Sequence, residues 1–275
     1  MKLRTSVALA LSSLFVSSAL LAAAQGATPP APPKVLVIQR EYLKPGKAGA
    51  IHAASEANFV RAATDAKSPT HYIAMDSLSG PTRALYLFPY DSFGAWGKDQ
   101  EATAANPTLS AAIDQASLTD GELLTRYDSH VYSYHPEMSL HATVDISHAR
   151  YWQLQSFKVK AGHDKDWSDL VKIYTDGFAS MPAANWAAYE SQFDENNGGL
   201  WVVITPMKTL DEVDSAMGDG AKFWTALSPA NQKRVQDLAA ACIESSQKNV
   251  FVVNPKESYV DPDWVKAAPE IWAQH

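Results

Sequence analysis

The chain has 275 residues, of which 46% are hydrophobic and 19% are charged, and its formal net charge at pH 7 is −7. An acidic chain without clusters of lysine and arginine is a poor partner for a phosphate backbone, so we predict no nucleic-acid binding. The single cysteine, Cys242, permits no internal disulfide, so the fold must be stabilised by its apolar core. We expect Cys242 to lie on the apolar face of a helix.

The first residues have the composition of a secretory signal peptide. Lys2 and Arg4 precede an apolar stretch, 7–21, and three alanines follow at 22–24. We predict cleavage after Ala24 and export to the periplasm or the extracellular space. The apolar stretch is shorter than the roughly 20 residues of a membrane-spanning helix and is interrupted by serines. No later stretch has the length and apolar character of a span, so we predict no membrane contact after cleavage.

The remainder of the chain carries two similar segments. Residues 35–46 open one of them and residues 151–162 open the other, and each segment is a β-rich stretch that ends in a turn. The two glycines of these turns, Gly46 and Gly162, are 116 positions apart. A repeat of this length is a whole domain, so the sequence predicts one fold that has been duplicated and fused.

Each half is predicted to contain a strand, a helix, two strands, a helical region and a last strand. In the first half these are 35–43, 48–66, 70–78, 82–88, 91–126 and 130–135; in the second they are 150–159, 163–178, 184–193, 199–205, 209–247 and 249–254. The corresponding domains are a signal peptide (1–24), a Pro-rich tether (25–34), a first ferredoxin-like repeat (35–136), a linker (137–149), a second ferredoxin-like repeat (150–255) and a C-terminal tail (256–275). The order of elements is typical of an antiparallel four-stranded sheet with helices on one face.

The opening strand, followed by Lys-Pro-Gly and a long helix, resembles the dimeric α/β-barrel superfamily, which includes antibiotic-biosynthesis monooxygenase-type, NIPSNAP-type and EthD-type domains. Residues 35–46 and 150–162 carry the likeness, and the element order extends it over 35–254. The resemblance implies an α+β fold in which the sheets of two tandem repeats pack face to face as a pseudo-dimeric barrel. One chain is then sufficient to complete the barrel.

The same resemblance implies a cofactor-independent oxygenase or a similar small-molecule enzyme. Related domains also bind haem through an axial histidine, for which the candidates here are His52, His71 and His130. Zinc or copper is a further alternative, because four histidines cluster at the junction of the halves: His130, His135, His141 and His148. We favour the other explanation of these histidines, a polar strand end followed by a solvated linker between the repeats. We predict no cofactor and assign no metal ligand.

His52 and Glu56 lie four residues apart on the first predicted helix and share one face. The pair is either a general base oriented by a carboxylate or an ion pair on the exposed helix surface, and we favour the exposed ion pair. On the first strand, alternation places Gln39 and Glu41 on one face and Arg40 on the other. If the helices cover the apolar side, Gln39 and Glu41 project between the sheets.

The first predicted helix lacks bulk compared with its counterpart. At the 116-residue offset its small residues stand opposite large ones: Ile51, Ala54, Ser55 and Asn58 against Trp167, Leu170, Val171 and Tyr174. Less side-chain volume predicts a cavity between helix 48–66 and its sheet. We expect this cavity to bind a small apolar or aromatic ligand. The candidate ligand-binding residues are Gln39, Arg40, Asn58, His71, Tyr72 and Tyr132, and no catalytic residue is assigned.

Overall fold

The computed structural model describes residues 29–193 and 199–273, so the predicted signal peptide and residues 194–198 of the predicted second hairpin turn lie outside the described residues. The strands are β1 (Val35–Leu43), β2 (Ile73–Ser77), β3 (Arg83–Tyr90), β4 (Leu124–Tyr134), β5 (Tyr151–Val159), β6 (Ala187–Ser191), β7 (Leu200–Met207) and β8 (Ile243–Val253). The helices are α1 (Ala50–Ala66), α2 (Phe93–Ala104), α3 (Pro107–Gly121), α4 (Asp164–Phe178), α5 (Asp211–Ala226), α6 (Pro229–Cys242), α7 (Pro262–Ala267) and α8 (Pro269–Trp272).

The eight strands close into one antiparallel barrel in the order β1-β3-β2-β8-β5-β7-β6-β4. Two pairings join the halves: β2 pairs with β8, and β4 pairs with β6. Strand, helix, two strands, two helices and a strand follow in the same order within 35–134 and within 151–253. The mixed α+β fold with a closed barrel agrees with the predicted fold class. Because the barrel closes within one chain, each of the eight strands β1–β8 is paired on both edges.

Two strands begin earlier than predicted. Leu124 and Ile243 already belong to β4 and β8, although the sequence predicted helix as far as 126 and 247. Most residues at the start of both strands are exposed, so no apolar alternation marks them. They become strand because they pair with the ends of β1 and β5, a long-range contact that local patterns do not contain.

The main apolar core lies inside the barrel, and both halves contribute to it. It includes Leu36, Ile38, Met75, Leu85, Trp152, Leu154, Tyr189 and Phe251. Since Leu36 and Ile38 point inward, alternation along β1 turns Gln39 and Glu41 outward, under the helices, and Arg40 inward. The expectation that Gln39 and Glu41 project between the sheets is therefore wrong. Both faces of β1 begin apolar, so alternation alone could not tell the inner face from the outer one.

The end of the described chain packs on the barrel. Trp272 is fully buried, and its indole Nε1 donates to the carbonyl oxygen of Ser147 at 2.7 Å. Trp264 lies beside it, with 5.7 Å between the ring centroids. No helix within residues 29–193 and 199–273 combines the length and the apolar character needed to cross a membrane.

Candidate functional site

A cavity of about 700 Å³ lies between α1, α2, α3 and the outer face of β1, β3 and β4. It is the space between the first helix and its sheet that the sequence predicted to be incompletely filled. Its walls are mainly aromatic and apolar: Val37, Phe59, Tyr72, Tyr86, Phe88, Tyr90, Trp96, Leu109 and Ile113. We call it the helix–sheet cavity. Its volume is in the range that small-molecule sites occupy in proteins.

One side of this cavity is formed by a cluster of buried ionisable residues. Glu41 comes from β1, His52 and Glu56 from α1, Asp120 from α3, and Glu257 from the short 3₁₀ turn that follows β8. Their exposed fractions are 7%, 0%, 3%, 2% and 1%, respectively. We call these five residues the acidic cluster. Three of its carboxyl groups, those of Glu41, Glu56 and Asp120, also line the cavity.

His52 lies at the centre of the acidic cluster. Its Nε2 is 3.1 Å from Oε2 of Glu41 and 3.8 Å from Oδ1 of Asp120. Its Nδ1 is 3.2 Å from Oε1 of Glu257, an ion-pair distance at an angle that falls short of a hydrogen bond. The imidazole therefore has a carboxyl group on each ring nitrogen.

The electrostatics of the cluster favour bound protons. Burial alone would lower the pKa of His52, but the carboxyl groups of Glu257 and Glu41 raise it to about 11. Burial and then the neighbouring carboxyl groups of Glu41 and Asp120 raise the pKa of Glu56 to about 10. Burial is also the main cause that raises the pKa of Glu41 and of Glu257. The cluster can thus hold and exchange protons beside the cavity.

The predicted exposed ion pair between His52 and Glu56 is wrong. Both side chains are buried, and the direct partners of His52 are Glu41, Asp120 and Glu257. Helix α1 buries a polar face that consists of His52, Ser55 and Glu56. The sequence signal for this buried face was a histidine, a serine and a glutamate at positions i, i+3 and i+4 of one helix. Their polarity made this face of the helix look solvent-exposed.

The second half fills the equivalent space with apolar side chains. Phe157 takes the place of Glu41 in the strand register, and Met138 takes the place of Glu257 as the last residue of a 3₁₀ turn. On the first helix of each half, the buried residues His52 and Ser55 correspond to Trp167 and Leu170. The two helices are therefore related by an offset of 115 residues, whereas the offset between the turn glycines is 116. The connection from the turn glycine to the helix is longer in the first half, which explains the difference. Phe157, Met138 and Trp167 all belong to one apolar cluster.

Two of the six predicted ligand-binding residues, Gln39 and Tyr72, line the helix–sheet cavity. Tyr72 also lines a second cavity of about 520 Å³. His71 lines this second cavity but not the helix–sheet cavity. The His71 ring stacks against Tyr259 at 4.8 Å between centroids. The second cavity lies at the barrel end that the Pro-rich residues 30–33 cover.

The other three predicted residues lie elsewhere. Arg40 and Tyr132 line a third cavity, of about 800 Å³, inside the barrel, and Arg40 forms an ion pair with Asp128 there. Asn58 lines none of these three cavities, and its Nδ2 donates to the carbonyl oxygen of Ser55 at 3.0 Å. The structure therefore distributes the six residues over several sites. Of the acidic cluster, the sequence named His52 and Glu56 as a less favoured base–carboxylate alternative, and it did not single out Asp120 or Glu257.

The four histidines at the junction do not form one site. Within residues 29–193 and 199–273, none of them belongs to a group of three or more ligand atoms within 4.8 Å of one another. His135 contacts Glu137 and Glu190, and His148 contacts Asp145. His71 lines the second cavity and His130 lines the third, and none of the candidate axial histidines, His52, His71 and His130, lines the helix–sheet cavity. That cavity therefore offers no histidine to serve as an axial ligand.

Comparisons with known proteins show a likeness of fold. A crystal structure titled "Putative monooxygenase" from Fusobacterium nucleatum is similar with a TM-score of 0.52 and 13% identity, over 81% of this chain and 93% of that one. An anthrone oxidase-like protein is similar with a TM-score of 0.50 and 12% identity, over 80% of this chain and 92% of that one. No family model matches the chain, and no curated protein is similar to it in sequence.

The closed barrel and these likenesses show that the chain has a mixed α+β fold with an eight-stranded barrel. At such low identity the likeness shows the fold alone. What the protein does must be argued from the cavity and the acidic cluster.

Proposed function

We propose that the helix–sheet cavity binds a small, flat aromatic molecule. The observation that carries this proposal is a cavity of about 700 Å³ with aromatic walls and a row of carboxyl groups on one side. Phe88 and Tyr72 lie 4.8 Å apart between centroids and form one wall. Aromatic side chains favour offset-stacked and edge-to-face contacts with a planar ligand.

The polar groups of the cavity favour a ligand that carries a hydroxyl or carbonyl group. The hydroxyls of Tyr72 and Tyr86 are buried, and neither forms a hydrogen bond of standard geometry with the described residues, although Tyr86 lies near the carboxyl groups of Glu56 and Glu41. A buried polar group without a partner costs about 1–3 kcal/mol. A phenol or ketone oxygen placed between these hydroxyls would recover that cost, so the two tyrosines would orient the ligand.

A second candidate function is cofactor-independent oxygenation of such a molecule. It is supported by the fold that the chain shares with the Fusobacterium protein and the anthrone oxidase-like protein. In the reaction of an anthrone with O₂, two C–H bonds of one carbon break and a C=O bond forms. One oxygen atom enters the product, and the other leaves as water. The acidic cluster would accept and return the proton that leaves the carbon.

Two expectations from the sequence complete the proposal. We infer that residues 35–136 and 150–255 are tandem ferredoxin-like repeats, because both contain the same order of elements. We also infer that the chain is exported, since Lys2, Arg4 and the apolar stretch 7–21 have the pattern of a signal peptide. The cavity would then take its ligand outside the cytoplasm.

The experiment fills the cavity and asks whether binding disappears. Ala63 of α1 lines the cavity, whereas Ala54 of the same helix is exposed. Ala63→Phe should abolish the thermal stabilisation that anthrone gives to the purified protein, and Ala54→Phe should retain it. An oxygen electrode tests the second candidate, because an oxygenase should consume O₂ with anthrone faster than the background reaction of anthrone with O₂ in buffer alone. Equal stabilisation of both variants would refute the proposed binding site.

A further inference from the structure

We propose that Glu41, His52, Glu56 and Asp120 form a binding site for one divalent first-row transition cation, of the class of Mn²⁺, Fe²⁺ or Zn²⁺. Metal binding itself needs no organic ligand, whereas a part for the metal in turnover rests on the function proposed above. No metal ligand was predicted from the sequence, and His52 and Glu56 were predicted to be exposed.

The four side chains converge from three separate elements. Each offers one ligand atom, and these atoms all lie within 4.8 Å of one another. Bonds from a zinc ion to histidine nitrogen or carboxylate oxygen are about 2.0–2.2 Å long, so ligand atoms around one ion lie roughly 3–4.5 Å apart. Small rotations of side chains are sufficient to bring this set to that spacing.

Glu257 gives the histidine the environment of a metal ligand. It lies on Nδ1, at 3.2 Å, and leaves Nε2 directed at Glu41 and Asp120. In metal sites the distal nitrogen of a ligating histidine usually faces a carboxylate or a carbonyl, which fixes the tautomer and the ring orientation. Glu257 would hold the proton on Nδ1, and the lone pair of Nε2 would then face the cation.

Among the four proposed ligand residues, two buried carboxylate oxygens form no hydrogen bond of standard geometry. These are Oε1 of Glu56, which lies near Tyr86, and Oδ1 of Asp120, which is 3.8 Å from Nε2 of His52; the two residues are only 3% and 2% exposed. No lysine or arginine within residues 29–193 and 199–273 forms an ion pair with Glu41, Glu56 or Asp120. A structural ion-pair network would supply such cations from side chains. A bound metal ion supplies the missing charge and the missing contacts together.

The second half shows that the fold does not need these residues. Phe157, Trp167 and Met138 fill the space that Glu41, His52 and Glu257 occupy in the first half, and they pack into an apolar cluster. Burying ionisable groups costs free energy that apolar residues of similar volume do not cost. The first half therefore carries metal-ligand residue types at positions where the second half, with the same order of elements, has a hydrophobic core.

The chemistry of the donors sets the class of cation. Three carboxylates and one imidazole suit Mn²⁺, Fe²⁺ and Zn²⁺. The absence of sulfur from the set disfavours Cu⁺, and an imidazole ligand disfavours Mg²⁺ and Ca²⁺, which prefer oxygen alone.

The test uses Mn²⁺ and Zn²⁺ with the full chain after removal of metals by a chelator. Electron paramagnetic resonance of free Mn²⁺ should show one Mn²⁺ bound per chain, and elemental analysis after dialysis should show one Zn²⁺. Mg²⁺ in tenfold excess should not displace either ion. Glu56→Gln and Asp120→Asn should each weaken binding at least tenfold, and Glu257→Gln should weaken it by about 10–100-fold while the stoichiometry stays at one.

The matched control is Asp99→Asn, which changes a carboxyl group of the same cavity that hydrogen-bonds to Tyr90 and Thr70 instead of the cluster. This variant should bind Mn²⁺ as the unmodified chain does. Ala63→Phe should also bind Mn²⁺ normally, so a failure of the organic-ligand proposal is distinguishable from a failure of this one. Absence of stoichiometric Mn²⁺ and Zn²⁺ binding, or binding that survives Glu56→Gln and Asp120→Asn together, would overturn the proposed metal site.

Discussion

Glu257 and Met138 occupy equivalent positions in the two halves of the barrel. Each is the last residue of a 3₁₀ turn that follows the final strand of one half and packs against the first helix of the other half. Glu257 is 1% exposed and lies beside His52, whereas Met138 packs into the apolar cluster around Trp167. Equivalent backbone positions therefore place a carboxyl group in the acidic cluster and an apolar side chain in the hydrophobic cluster around Trp167.

Replacing each of these two residues by its counterpart should affect the free energy of unfolding differently. In metal-free protein at pH 8, Glu257→Met should leave the free energy of unfolding unchanged or raise it by about 1–2 kcal/mol, because it removes one of four crowded carboxyl groups. Met138→Glu should lower it by about 2–4 kcal/mol, because it places a carboxylate in an apolar cluster. Urea denaturation measures both values. A marked loss of stability in Glu257→Met would mean that the cluster is a net stabilising network.

The stability of metal-free protein should fall as the pH rises. His52 and Glu56 have raised pKa values of about 11 and about 10, so the folded chain holds more protons than the unfolded chain. Stability decreases with pH wherever the folded state binds more protons. The contribution of Glu56 is complete below about pH 4.5 and is lost towards pH 10; that of His52 is complete below about pH 6.5 and is lost towards pH 11.

Urea denaturation at a series of pH values between 5 and 9 measures this slope, which is at most about 1.4 kcal/mol per pH unit for each proton. Glu56→Gln, which removes one titrating group, should give a shallower slope than the unmodified chain. A stability that rises from pH 5 to pH 9 would show that the carboxyl groups of the cluster are ionised in the folded protein.

The packing of the second-half helices depends on a glycine. A Cβ atom at Gly177 in α4 would overlap the ring of Phe223 in α5, which stacks between Tyr174 and Phe178. Gly177→Ala should therefore lower the free energy of unfolding by about 1–3 kcal/mol. Gly218→Ala is the control, because a Cβ there meets nothing within 4 Å, and alanine in a helix should add about 0.5–1 kcal/mol. Thermal unfolding of the two variants should shift in opposite directions.

The C-terminal segment should contribute strongly to stability through one residue. Trp272 is fully buried against the barrel core, and Trp264 is only partly buried. Trp272→Ala should cost about 3–5 kcal/mol, as expected for a large aromatic side chain removed from a core. Trp264→Ala should cost clearly less. Equal losses in chemical denaturation would contradict the assignment of Trp272 as the main anchor of this segment.

The sequence by itself determined the order of the elements and the class of the fold. Gly46 and Gly162 adopt positive φ angles of 76° and 82° in the turns that they were predicted to form. Alternating and helical patterns around these turns indicated the strands β1–β8 and the first helix of each half, because each pattern reflects one local period of burial. Local patterns failed at Leu124 and Ile243, where pairing with a distant strand decides the structure.

Only the tertiary structure decided where the acidic cluster lies. Glu41, His52 and Glu56 are close in sequence, but Asp120 and Glu257 reach them only when the barrel closes and α3 packs beside α1. A buried polar helix face has the same sequence pattern as an exposed one, so polarity alone could not distinguish them. Burial of that face depends on long-range contacts, which bring together residues as far apart as His52 and Glu257.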